Sequence, residues 1–83
     1  MENIDSLKLG DLVTVTIFGP DNSILFKTTK NGFHSLESAV ENAISESNLD
    51  VSPKDCVFEV KNDSTGVSHR YRLNAHGHLK LII

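Results

Sequence analysis

Between Leu12 and Phe18 the chain alternates, with apolar Val13, Val15 and Ile17 separated by Thr14 and Thr16. A period of two in β-branched residues predicts a strand with one buried face. The alternation returns over Ile24–Thr29, with Ile24, Phe26 and Thr28 on one side. Between the two runs lies Gly19-Pro20-Asp21-Asn22, where proline presets the second position of a type I turn. Treating those four residues as the loop pairs Phe18 with Ser23, Ile17 with Ile24, Val15 with Phe26 and Val13 with Thr28. That register makes one face of the hairpin almost wholly apolar.

The period then lengthens. Leu36, Ala39, Val40, Ala43 and Ile44 fall on one stripe at helical spacing, while Glu41, Ser45 and Asn48 fall opposite. Ser35 is placed to cap the helix, and Glu37 sits in the first turn, where the helix dipole favours an anion. Pro53 bars any long continuation. From Cys56 the period is again two. Cys56, Phe58 and Val60 share one face, and Val67, His69, Tyr71 and Leu73 share another across the loop Lys61–Gly66. Pairing Val60 with Val67 sets Phe58 against His69, Cys56 against Tyr71, and Asp55 against Arg72 with opposite charge.

The last strand begins near Leu79, after Asn74-Ala75-His76-Gly77-His78. Histidines flanking a glycine resemble metal-ligand spacing, but the same residues make a hairpin. A loop of Ala75, His76 and Gly77 sets Asn74 opposite His78, Leu73 opposite Leu79, Tyr71 opposite Leu81 and His69 opposite Ile83. Three-residue hairpin loops end in a residue of positive φ, the place Gly77 occupies. In that register His76 is at the tip, His78 on the open sheet face and His69 ~17 Å down the strand on the core face. Zinc ligands must all lie within ~2.0–2.3 Å of one atom, so no metal site is expected.

The order ββαβββ predicts one α+β domain over residues 1–83, an antiparallel-dominated sheet with one amphipathic helix on one face. Because Leu79–Ile83 is apolar on both sides, the last strand is expected in a covered, central position, in spatial order 2-1-5-4-3. A β-grasp order, with β1 parallel to the last strand, is the alternative.

Composition narrows the function classes. The single cysteine, Cys56, forms no internal disulfide. Glu2 and Asp5 stand where a secretion signal needs positive charge, and no apolar run approaches the ~20 residues of a membrane span. These features predict a cytoplasmic protein. The net charge of −3 is uneven: residues 1–55 hold four Lys against nine acids (−5), and residues 56–83 hold four cations against two acids (+2). The glycines form no phosphate-binding signature, and no cofactor or small-molecule substrate is evident. His34 has no nucleophile beside it, and Cys56 with His69 is the one conceivable nucleophile–base pair. Both point towards the helix, so a buried thiol is expected and no enzymatic activity.

The strongest functional feature is the sheet face left free by the helix. Phe18, Leu25, Val57, Arg70, Arg72, His78, Lys80 and Ile82 are its candidate partner-binding residues. Apolar anchors among cations, next to edge strands, predict a non-enzymatic protein-interaction or regulatory module, with self-association as its simplest form. Nucleic-acid binding through Arg70, Arg72 and Lys80 is the alternative. It is disfavoured by the acidic total and by Phe18 being the face's one aromatic residue.

Overall fold

A computed structural model describes residues 10–33 and 35–82. It contains β1 (Val13–Phe18), β2 (Ile24–Lys30), α1 (Leu36–Ser47), β3 (Val57–Asn62), β4 (Val67–Leu73) and β5 (Leu79–Leu81), with a short 3-10 turn at Pro53–Asp55. The strands form one sheet in the order β2-β1-β3-β4-β5, every pair antiparallel. The α+β class and the single helix agree with the sequence; the expected strand order does not. β1 pairs with β3 rather than with the last strand, and β5 lies at an edge instead of the centre. Matching length explains the exchange. All six residues of β1 find partners on the six of β3, from Val13 opposite Asn62 to Phe18 opposite Val57. The three residues of β5 would leave half that ladder unpaired, stranding buried backbone groups. The antiparallel β1–β3 contact also excludes the β-grasp arrangement.

Apart from Ile24 and Leu25, the faces of the first two hairpins are as the alternation predicts, but partners are displaced by two residues. In the first, Pro20, Asp21 and Asn22 form a three-residue loop closed by Gly19 N–H to Ser23 O (2.8 Å), with Asn22 at φ 68°. The Asp21 carboxylate accepts the Ser23 hydroxyl at 2.7 Å and the Ser23 N–H at 3.2 Å, and these bonds hold its pKa below the ordinary value. A bulge then sets Phe18 opposite Ile24 but Ile17 opposite Phe26. Ile24, expected on the core face, is therefore exposed.

In the second hairpin Asn62 faces Val67, Val60 faces His69 and Phe58 faces Tyr71. The loop is tightened because the Asn62 carbonyl accepts both Thr65 N–H (3.2 Å) and Gly66 N–H (2.7 Å), with Gly66 at φ 80°. The Asn62 side chain is buried. It accepts Ser64 N–H at 3.0 Å and donates to Asp11 Oδ2 at 2.9 Å, tying this loop to the segment before β1. The third hairpin follows the predicted register: Tyr71 opposite Leu81, Leu73 opposite Leu79, and Gly77 at φ 81°. Ile83 and His34 lie outside the described residues, so the pairing of His69 with Ile83 and the placing of His34 do too.

Ser35 caps α1, its side-chain oxygen accepting Ser38 N–H at 3.1 Å, and Asn48 ends the helix in the left-handed conformation at φ 52°. Leu36, Ala39, Val40 and Ala43 pack with Val13, Val15, Ile17, Cys56, Phe58, Val60 and Tyr71 into one core. The helix lies chiefly against β1, β2 and β3, while β4 packs mainly against the 3-10 turn. Geometry forces this. Five strands span ~19 Å at ~4.8 Å spacing, whereas a helix with its side chains is ~10–12 Å across. The helix side of β4 and β5 is left part-covered. Hence His69, expected on the core face, is exposed, and Leu81 is 45% exposed although Tyr71 opposite it is buried.

Candidate interaction surface

On the face away from α1, cross-strand rows run Thr14–Lys61–Ser68, Thr16–Glu59–Arg70 and, across the central strands, Phe18–Val57. Its middle is closed by its own side chains. Arg70 Nε donates to Glu59 Oε2 at 3.1 Å, and its guanidinium lies 4.9 Å from the centre of the Phe18 ring. Each contact contributes no more than ~1 kcal/mol at such an exposed position, yet together they hold Arg70 flat across the sheet. Thr16 is 5% exposed, and Phe18 and Val57 are half-buried. Of the residues singled out from the sequence, Phe18, Val57 and Arg70 thus form a self-satisfied centre rather than a bare one.

Leu25 does not join them. The bulge turns it towards the segment after α1, where it lines a cleft of about 140 Å³ with Ser47, Asn48, Leu49, Asp50 and Val51. That volume is below the ~300–1,000 Å³ of small-molecule sites. Leu25 on β2 and Lys80 on β5 lie on strands four spacings apart, ~19 Å, and do not share a patch.

The remaining candidates gather on the last hairpin. Arg72 and Lys80 are direct cross-strand partners on the open face. Like charges so placed repel, and among the described residues neither has an ion-pair or hydrogen-bond partner. His78 follows the turn, its N–H donated to Asn74 Oδ1 at 3.0 Å, and Asn74 Oδ1 also accepts His76 N–H at 2.9 Å. The two imidazoles lie 6.5 Å apart between ring centres, and no group of three or more metal-ligating residues occurs among the described residues. Ile82 is 39% exposed and donates its N–H to Arg70 O at 2.9 Å.

The backbone of β5 completes the surface. Asn74 N–H bonds His78 O (2.8 Å) and Ile82 N–H bonds Arg70 O, so His78, Lys80 and Ile82 direct their backbone groups towards β4. By the alternation of an antiparallel ladder, Leu79 and Leu81 direct theirs outward. Among the described residues no strand pairs with that edge. Leu79 and Leu81 were expected on the core face and were not among the candidate partner-binding residues. The signal that points to them is arithmetical: one twelve-residue helix is too narrow for five strands.

The pairing of Cys56 with His69 is not formed. Cys56 is fully buried, its thiol directed to Ser52 O at 3.6 Å. His69 stands opposite Val60, four residues and ~13 Å further along. Burial, reinforced by the neighbouring Asp55 carboxylate, raises the thiol pKa above its ordinary value, opposite to what a nucleophile needs.

No protein-family model matches the chain, and no curated protein or solved structure matches it either. No helix among the described residues is long and apolar enough to cross a membrane.

Proposed function

We propose that this chain is a cytoplasmic, non-enzymatic interaction module that binds a protein through the β5 edge and the adjoining open face. The observation that carries this reading is the combination at β5: Leu81 and Ile82 exposed on opposite faces of an edge strand with outward backbone groups. Natural edges are normally protected by charge, bulges or covering segments. β5 has only its three-residue length and Lys80 as protection, whereas the other edge, β2, has Lys27 and Lys30 along it, a bulge at its start and a Lys30–Glu46 ion pair to α1. The second reading, nucleic-acid binding, is favoured by the unpaired Arg72 and Lys80. It is weakened because the guanidinium of Arg70 already covers the Phe18 ring, leaving no free aromatic platform for a base.

Site-specific photocrosslinking in cells that naturally express the chain tests the reading. A crosslinker replacing Ile82 is expected to give a discrete protein adduct, and one replacing Glu41 on the wet face of α1 is not. Nucleic-acid adducts at Ile82, or equal adducts at both positions, would refute it.

A further inference from the structure

Resting on the reading just given, we infer that the occupant of the β5 edge is an extended, acidic–apolar segment of a partner protein, which adds to the sheet as a sixth strand. Three features of one short strand point the same way. The outward N–H and C=O groups of Leu79 and Leu81 offer a ladder for an incoming backbone. On the helix side, exposed Leu81 and the part-buried Leu73 and Leu79 form an apolar strip at the margin of the core, incompletely covered and suited to every second side chain of that strand. On the open side, Arg72 and Lys80 face each other without a counter-charge, so the intervening side chains are matched by carboxylates.

The charge pair also decides against a second copy in the most symmetric docking. Antiparallel self-pairing centred on Lys80 would set Leu79 against Leu81 of the other copy, but it would add Lys80 against Lys80 to a site already rich in cations. An acidic strand relieves the repulsion that a second copy increases.

The test uses the full chain and two capped peptides, one alternating valine with glutamate and one alternating valine with lysine, with binding followed by amide shifts. The glutamate peptide is expected to bind at least roughly tenfold more tightly than the lysine peptide and to slow exchange of the Leu79 and Leu81 amides. Lys80→Glu, which leaves Arg72 facing a carboxylate, is expected to abolish the preference while leaving the fold intact. Leu81→Pro removes an outward N–H without touching the β4 ladder, so it is expected to keep the circular dichroism spectrum and lose the peptide. Equal binding of both peptides, or undiminished binding by folded Leu81→Pro, overturns the inference. No peptide binding, with a salt-insensitive dimer by light scattering, overturns the acidic partner but keeps the interaction module. Salt-sensitive capture of an oligothymidylate strand in place of either peptide overturns both.

Discussion

Replacing Gly77 isolates the backbone conformation that closes the last hairpin. Gly77 has φ +81°, and a Cβ built there meets no heavy atom within 4 Å. Any loss therefore reflects dihedral preference and not collision. Holding an L-residue in the left-handed region costs ~1–2 kcal/mol, and replacing glycine recovers ~0.4–1 kcal/mol by narrowing the unfolded ensemble. Gly77→Ala should then lose about 0.5–1 kcal/mol, and Gly77→Asn less, because asparagine tolerates this conformation. Gly77→Val, whose branched Cβ resists positive φ, should lose about 2 kcal/mol. At ~4–8 °C per kcal/mol for a domain of this size, valine lowers Tm by roughly 10 °C. Gly10 is the control: it is equally open, but its φ lies outside the left-handed region, so Gly10→Ala should be neutral or slightly stabilising. Thermal melts followed at 222 nm read all four variants. An unchanged Tm for Gly77→Val, or equal losses at Gly10 and Gly77, would refute the loop geometry.

Three further outcomes follow from the packing. Val40→Asp places a carboxylate in the core and should unfold the domain, whereas Glu41→Gln on the exposed face should shift stability by less than ~0.5 kcal/mol; equal melts would refute the helix phase. Asn62→Ala removes the tie between the β3–β4 loop and Asp11, and denaturant titration should show a loss of ~1–3 kcal/mol. For Cys56 the folded thiol pKa lies above its unfolded value of 9.0, so unfolding releases a proton in alkaline solution. That stabilising contribution is complete below pH 9 and is lost as pH rises through the folded pKa. Denaturant midpoints in alkaline solution should fall less steeply for Cys56→Ala than for the unaltered chain.

The sequence–structure relationship is uneven for physical reasons. Which residues share a face was legible except at Ile24 and Leu25, where the bulge breaks the alternation; elsewhere a two-residue slip preserves it. The partners themselves were legible only where the turn left one solution, at Gly77. In the first hairpin, Asn22 in the left-handed region and the bulge before Ile24 absorb residues that no alternation reveals. In the second, the double use of the Asn62 carbonyl shortens the loop. Strand order depended on matching the lengths of β1 and β3, a relation between segments about forty residues apart. Apolarity on both sides of Leu79–Ile83 suggested a central strand; at the edge, the same apolarity leaves Leu81 and Ile82 exposed. The candidate site was legible as a charge cluster on the last hairpin. The predicted register of that hairpin already sets Arg72 opposite Lys80, whereas the self-closure of Phe18 under Arg70 depends on pairing across three strands and was not legible.

The binding role rests on β5 being an open edge, with the backbone groups of Leu79 and Leu81 facing outward. Residue-resolved amide hydrogen exchange on the isolated chain measures this directly. Leu79 and Leu81 should exchange near the unstructured rate, with Lys80 and Ile82 slower because they bond to β4. Protection of Leu79 and Leu81 equal to that of Lys80 would contradict the open edge and the binding role built on it.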